Sequence, residues 1–314
     1  MKTITQAFRT LLVLMLIFYC VGGYAQRKEV SYFNDSVEIC PLADKELIDS
    51  CYNLLERNMM LETDGIYGQI AVIDATTSEV LAWASLEKLL DGDCEGCGDM
   101  IYAPFKNNVC STDIFIPFIA AKCLEESNTP LDKMVDTGCG ILEVNDSLQI
   151  RDHNWRKGGY GEVTFEKALL MKSRIGMYKA FMNMPNGADL WEQACDTTLK
   201  SNAIELAMFF NQICHQKSSL EYAKNIATGI FEKNGIQHRL APRGVKLAGI
   251  YNILQCDDNK RNSDEFTFVG CFPADNPKYT ISMVVVRPHK LPVNIGILSK
   301  EVNQLIEWLM NRNK

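Results

Sequence analysis

Two pairs of strand-like segments, one near each end of the chain, constrain the fold more than any other feature of this sequence. Near the amino end, Gln69-Ile-Ala-Val-Ile73 and Glu79-Val-Leu-Ala-Trp83 are rich in strand-forming residues and flank a polar turn. Near the carboxyl end, Phe266 to Phe272 and Tyr279 to Val286 form a second pair around another turn. The stretch from Phe165 to Phe231 between them is mostly helical in pattern. The sequence therefore predicts one sheet built from distant segments, with a helical lobe inserted.

Amphipathic stripes predict the helices that cover this sheet. One helix is predicted from Leu42 to Asn58, and another runs from Asp113 or Pro117 to Glu126. The last helix has an apolar face made by Val302, Leu305, Ile306, Leu309 and Met310. We therefore predict an α/β fold in which an antiparallel sheet is flanked by terminal helices.

The first 25 residues have the pattern of a secretory signal peptide. Lys2 and Arg9 precede an apolar run from Leu11 to Val21, and small residues follow up to Ala25. The run has 11 residues, fewer than the roughly 20 that a membrane-spanning helix needs. We therefore assign residues 1–25 as a signal peptide cleaved after Ala25. The mature chain is expected to have no transmembrane segment and to be exported to the periplasm or cell envelope.

The charge balance argues against a nucleic-acid partner. The chain has 32 Lys and Arg against 39 Asp and Glu, a net charge of -7. Cleavage after residue 25 leaves 289 residues with 30 positive and 39 negative side chains, a net charge of -9. Such a field repels phosphate backbones. The apolar fraction of 47% is that of a globular protein, so a disordered chain is also excluded.

Cysteine usage is unusual. The chain has 12 cysteines, and loss of Cys20 with the signal leaves 11, so at least one thiol stays free. Cys94 and Cys97 have the spacing of half a zinc site, but no second pair follows, which favours a disulfide in this loop over zinc. Cys123 and Cys271 lie in apolar segments and are predicted to be buried thiols. We expect no metal and no cofactor.

Four regions of the chain match segments of a known protein family in the same order, which is hard to produce by chance. They are Gln69 to Ser85 (QIAVIDATTSEVLAWAS), Phe115 to Glu126 (FIPFIAAKCLEE), a middle region with Asp152-His-Asn-Trp155, Gly159-Tyr-Gly161 and Ala168 to Met177, and Phe268 to Tyr279 (FVGCFPADNPKY). Together they resemble the transpeptidase domain of the penicillin-binding proteins, over about residues 38–314. The resemblance implies a β-lactamase/transpeptidase-like fold with a site between the sheet edge and the helical lobe.

The chain departs from all three catalytic motifs that the resemblance implies. The family's Ser-x-x-Lys, Ser-x-Asn and Lys-Thr-Gly motifs fall on degenerate positions, which are Asp113 and Ile116, Lys172 and Arg174, and Ile250, Tyr251 and Asn252. A carboxylate is a poor acyl acceptor, and an isoleucine cannot accept a proton. If the nucleophile position is shifted to Ser111 or Thr112, the residue three positions later is still not a lysine. We therefore predict no intact catalytic residues.

Loss of the nucleophile of a serine hydrolase costs on the order of 10⁶ in turnover. We interpret the chain as a pseudoenzyme associated with peptidoglycan, a binding or scaffold module whose partner is a peptidoglycan stem peptide or a cell-wall or envelope protein. One alternative is an active serine D,D-transpeptidase or carboxypeptidase with relocated catalytic groups. Another is a disulfide-stabilised structural protein without a ligand, in which Ile116, Ile250 and Tyr251 fill a closed cleft.

The degenerate positions suggest a specific contact. Because the family's nucleophile and the first serine of its second motif lie within hydrogen-bonding reach, the resemblance implies an ion pair between Asp113 and Lys172. Arg174 is the other candidate partner, and in the plainer alternative Asp113 only caps its helix.

Other potentially reactive residues give weaker signals. Cys110 and Cys139 do not lie at the position of the family's nucleophile. The histidines are far apart, without an HExxH or a Ser/His/Asp pattern, and are predicted to be structural: His153, His215, His238 and His289.

Overall fold

The computed structural model describes residues 44–89, 100–103, 109–146, 148–196, 200–215, 220–258, 261–290 and 292–312. The helices are α1 (Lys45–Arg57), α2 (Ser111–Glu126), α3 (Phe165–Leu170), α4 (Arg174–Phe181), α5 (Gly187–Ala194), α6 (Ala203–His215), α7 (Glu221–Gly229) and α8 (Ser299–Arg312). The strands are β1 (Tyr67–Asp74), β2 (Val80–Lys88), β3 (Met100–Tyr102), β4 (Val109–Cys110), β5 (Met134–Asp136), β6 (Ile141–Asn145), β7 (Leu148–Arg151), β8 (Glu162–Thr164), β9 (Lys200–Ser201), β10 (Ala248–Asp258), β11 (Arg261–Phe272) and β12 (Tyr279–Pro288).

The main sheet has six antiparallel strands in the order β10-β11-β12-β1-β2-β3. Both predicted hairpins are present, as β1–β2 and β11–β12. The two hairpins join where β1 pairs with β12, with Ala71 opposite Ser282. This pairing confirms that one sheet is built from segments about 200 residues apart, and it leaves β10 at one edge.

Strand alternation assigns the two faces of the sheet. On one face, the side-chain carbonyl of Gln69 accepts a hydrogen bond of 2.8 Å from the backbone N–H of Ala203, the first residue of α6. The opposite face packs on α1, because a Cβ placed on Gly68 would lie 2.7 Å from side-chain atoms of both Leu55 and Met59. The sheet is therefore a middle layer between α6 and α1.

The terminal helices form as their apolar stripes predict. Asp44 caps α1 by accepting from the backbone N–H of Leu47 at 3.2 Å. In α8 the predicted face is buried at Val302, Leu305, Ile306 and Leu309, whereas Met310 is half-buried. A π-helix, Asn58–Thr63, extends α1, which the sequence pattern does not predict. Within it, Asn58 donates to the carboxylate of Glu301 at 3.0 Å and so ties α1 to α8.

The prediction that Cys271 is a free core thiol is wrong. Cys271 lies on the face of β11 that packs on α6, and it forms a disulfide with Cys214 near the end of that helix. An apolar sequence context does not distinguish a buried thiol from a buried disulfide, because both are poorly hydrated. Cys123 is a buried free thiol, as predicted, and burial raises its pKa to about 12. Cys94 and Cys97 lie outside the described residues.

The helical lobe stands beside the open edge of the sheet. Helices α2 and α7 both contact β10, and α2 also packs against α4, α5 and α7. In the described part of the chain, no helix combines the length and the apolar character that crossing a membrane requires. The lobe and the edge strand together position the candidate site.

Candidate functional site

Asp113 lies in the first turn of α2, where a carboxylate is favoured by the unpaired N–H groups at the start of the helix. Its side chain is 15% exposed. One carboxylate oxygen accepts a hydrogen bond of 2.7 Å from the Asn252 side chain, and the other lies 3.3 Å from the Arg174 guanidinium. The carboxylate is therefore held by α4 and by the edge strand at once.

Lys172 occupies the tight joint between α3 and α4. Its φ is +52°, and the N–H groups of Lys172 and Ser173 bond back to Leu169 and Ala168 at 2.9 and 2.8 Å. This is the Schellman pattern, in which the left-handed position is usually glycine or asparagine. A residue with a Cβ pays about 1 kcal/mol there, so the joint holds Lys172 at the cleft against a local preference.

Asn252 bridges Lys172 and Asp113. The Lys172 ammonium donates to the Asn252 side-chain oxygen at 2.7 Å, while the Asn252 amide donates to Asp113. Because an ammonium only donates and a carboxylate only accepts, these two neighbours fix the orientation of the amide. We call the four residues Asp113, Lys172, Arg174 and Asn252 the polar cluster.

The prediction that Lys172 is the ion-pair partner of Asp113 is wrong. The salt bridge to Asp113 is made by Arg174, at 3.3 Å, and Lys172 reaches the carboxylate only through the amide of Asn252. The amide fits between the two charges and separates them, which leaves the second carboxylate oxygen to the guanidinium. Asp113 lies within α2, so the simple capping alternative does not describe it either.

Electrostatics in the cluster are set mainly by burial. Removal from water lowers the pKa of Lys172 from 10.5 to about 8; the Asp113 carboxylate opposes this lowering, and the Arg174 guanidinium adds to it. Lys172 is thus positively charged at pH 7 but less firmly so than a surface lysine.

The side chains at the three remaining degenerate positions, Ile116, Ile250 and Tyr251, are all buried. Ile116 and Ile250 are buried, at 2% and 0% exposed. The Tyr251 side chain lies on the opposite face of the sheet from Asn252 and packs on Phe268, with ring centroids 4.5 Å apart. Tyr251 therefore does not fill the cleft with its ring. Only its backbone reaches the site.

Ser173 and Asp152 form a buried pair that motif comparison did not identify as functional. The Ser173 hydroxyl lies 2.8 and 3.0 Å from the two Asp152 carboxylate oxygens and accepts from the Gly176 N–H at 3.0 Å. Asp152 also accepts from the Ile175 N–H at 3.1 Å. These bonds begin α4 and so orient Arg174, which gives the pair a positioning role. Both residues lie in segments that carry the family resemblance, but a serine before a helix by itself indicates only an N-cap.

Three cysteines are candidates for an alternative reactive group, and the structure describes the side chains of two of them. Cys139 is exposed, and the side chain of Cys110 is not among those described. Cys195, which sequence reasoning did not select, has its sulfur 3.7 Å from the Arg174 guanidinium, yet burial raises the pKa of its thiol. At Cys195, burial therefore disfavours the reactive thiolate form.

The described histidine side chains have structural partners. A ring nitrogen of His153 lies 2.8 Å from the Tyr160 hydroxyl, and burial lowers the pKa of His153. His238 contacts the Gly235 carbonyl, and His289 contacts the carboxylate of Asp264. Across the described ranges, no group of three or more His, Cys, Asp or Glu is arranged to hold a metal.

Gln237 was missed by sequence reasoning and meets the edge strand beside the cluster. Its side-chain amide bonds both backbone groups of Tyr251, accepting from the N–H at 2.8 Å and donating to the carbonyl at 2.6 Å. A lone glutamine between two helical patterns carries no signal for such a contact.

Comparison with known proteins supports the fold. No family model matches the chain, and no curated protein matches its sequence. The chain is similar in structure to the TP domain of penicillin-binding protein 3 from Burkholderia pseudomallei, with a TM-score of 0.65 and 17% identity over 86% of this chain and 95% of that one. It is also similar to a peptidoglycan glycosyltransferase from Burkholderia ambifaria, with a TM-score of 0.65 and 18% identity over 85% and 97% of the two chains. The chain thus has a penicillin-binding-protein transpeptidase-like fold.

Proposed function

We propose that this chain is an exported, catalytically inactive relative of the penicillin-binding transpeptidases, which associates with peptidoglycan as a binding or scaffold module. The signal-peptide pattern of residues 1–25 supports export to the periplasm or cell envelope. The transpeptidase-like fold supports the choice of peptidoglycan, because the fold's structural neighbours include a penicillin-binding protein. The ligand proposed is a peptidoglycan stem peptide.

The observation that carries inactivity is the state of Asp113. At the position where the resemblance places the nucleophile, the structure has a carboxylate engaged by Asn252 and Arg174. One turn later, where the family has its lysine, Ile116 is buried and offers no proton acceptor. Without a nucleophile and base, the expected loss is on the order of 10⁶ in turnover, about 8 kcal/mol of transition-state stabilisation.

Two assays on the mature chain test this proposal. Co-sedimentation with purified sacculi measures association, and we expect the protein in the pellet. Release of D-alanine from a pentapeptide ending in D-Ala-D-Ala measures carboxypeptidase activity, and we expect none above the uncatalysed rate.

The result that contradicts inactivity is D-alanine release that survives Asp113→Asn but is abolished by Ser111→Ala, since that pattern identifies a relocated nucleophile. Absence from the sacculus pellet contradicts the peptidoglycan association. Recovery of a crosslinked envelope protein in place of sacculi would assign the module to a protein partner.

A further inference from the structure

The edge strand β10 carries backbone groups that face away from the rest of the sheet. Tyr251 lies opposite Phe268 in β11. Its backbone N–H and carbonyl, however, form hydrogen bonds with side chains from the lobe. In an antiparallel ladder, residues that direct both groups outward alternate with those that pair inward. An edge of this kind is where an extended peptide adds to a sheet.

Gln237 already occupies this edge at Tyr251. A side-chain amide presents one donor and one acceptor, as a peptide group does, and Gln237 uses both on the two outward groups of Tyr251. Lys172 donates to the same carbonyl at 3.4 Å, so two donors from the lobe converge on that oxygen. The backbone of Tyr251 is therefore satisfied by the protein itself.

The segment that carries Gln237 is firmly placed. The N–H of Gln237 donates to the Ile230 carbonyl at 3.1 Å, and the N–H of Ile236 donates to the Leu170 carbonyl at 3.2 Å. A Cβ on Gly235 would lie 2.2 Å from the carbonyl oxygens of Gly229 and Ile230, so the close approach at this turn requires glycine. Gln237 is 2% exposed. The amide is held at the edge rather than free to leave it.

We propose that Gln237 is an internal lock on β10, which occupies the hydrogen-bonding groups that an extended peptide would use. An incoming peptide must displace the amide and leave it buried without partners, and that exchange opposes binding. The seated amide thus adds a free-energy cost that any peptide pairing with β10 at Tyr251 must overcome. The inference deepens the proposed function, on which it rests for the choice of a stem peptide as the ligand.

The test compares wild type with Gln237→Ala and Gln237→Met, using a diacetylated L-Lys-D-Ala-D-Ala peptide as the probe. The methionine variant keeps the side-chain volume and removes both hydrogen bonds, so it reports on the lock if the alanine variant folds poorly. Gln255→Ala is the matched control, because Gln255 is an exposed glutamine on the same strand that contacts His289 instead of the edge backbone.

We expect both Gln237 variants to bind the peptide at least about tenfold more tightly than wild type and the Gln255 control. Hydrogen exchange at the Tyr251 amide should be faster in both variants and slow again when peptide is bound. Equal affinity in all four proteins, including no binding by any of them, overturns the lock. Sacculus co-sedimentation of wild type reports separately on the proposed function, so either idea can fail while the other stands.

Discussion

Replacing Lys172 with methionine should change how stability depends on pH. The folded protein lowers the pKa of Lys172 from 10.5 to about 8, chiefly through burial. The charged form is therefore disfavoured in the folded state, and unfolding takes up protons between these two values. Stability rises with pH wherever the unfolded state binds more protons. Burial of Lys172 therefore lowers the free energy of unfolding by its full amount below pH 8, and this destabilisation disappears as the pH rises toward 10.5.

The magnitude follows from the two pKa values. A lowering from 10.5 to about 8 corresponds to about 3 kcal/mol between the charged and neutral forms. Integrated from pH 7 to pH 9.5, the change in the free energy of unfolding due to Lys172 is about 2 kcal/mol. Between pH 7 and pH 9.5, the free energy of unfolding of wild type should rise by this amount relative to that of Lys172→Met. The titrations that both proteins share cancel in the difference.

Urea denaturation of both proteins at half-unit steps between pH 7 and 9.5 measures this difference. Lys179→Met is the matched control, since the Lys179 amine is exposed and donates to the Asp136 carbonyl outside the cluster. A wild-type minus Lys172→Met difference that changes by less than about 0.3 kcal/mol, or that changes in the opposite direction, would refute the reasoning about burial at this site.

Three further substitutions test the contacts around the cluster and the core, each read as a free energy of unfolding in urea. Asn252→Ala removes the bridge between Asp113 and Lys172 and should cost about 2–4 kcal/mol. The control Asn186→Ala changes an exposed asparagine without a capping bond and should cost under about 0.5 kcal/mol. Equal costs for the two variants would contradict the bridge. Ser173→Ala leaves the buried Asp152 carboxylate short of a donor and should cost about 2–3 kcal/mol, and a cost near zero would show that the pair does not orient α4. Cys214→Ser opens the disulfide to Cys271 and should cost about 2–4 kcal/mol under oxidising conditions, with the difference lost in reducing buffer.

The sheet is the part of the fold that the sequence predicts best. Strand-forming runs on either side of short polar turns specify the β1–β2 and β11–β12 hairpins, because both the pairing and the turn are local. The terminal helices follow from stripes with a period of 3.6 residues, and the end of the chain shows this at Val302, Leu305 and Leu309. The π-helix after α1 has no such signal, since its contact from Asn58 to Glu301 joins residues 243 positions apart.

The candidate site is predictable in its membership but not in its contacts. Motif comparison selects Asp113, Lys172, Arg174 and Asn252, and the structure brings all four together. Which cation pairs with the carboxylate depends on where the Asn252 amide lies, 139 residues from Asp113 along the chain. Local sequence has no information on a contact of that kind.

The same limitation applies to Gln237 and the disulfide. Gln237 acts on the backbone of Tyr251, so its contact depends on which strand is at the edge and which turn reaches it. Cys214 and Cys271 lie in apolar segments 57 residues apart, and among many cysteines no pattern identifies them as a pair.

Covalent labelling by fluorescent penicillin tests catalytic inactivity most directly, since an acylable serine retains the label on a denaturing gel. With Asp113 at the nucleophile position and Ile116 at the position of the lysine, we expect no labelled band for the wild-type protein. An active penicillin-binding protein in the same gel shows that the reagent works, and Ser111→Ala identifies any relocated nucleophile. A wild-type band that is abolished by Ser111→Ala would contradict catalytic inactivity and assign the chain to the active transpeptidases or carboxypeptidases.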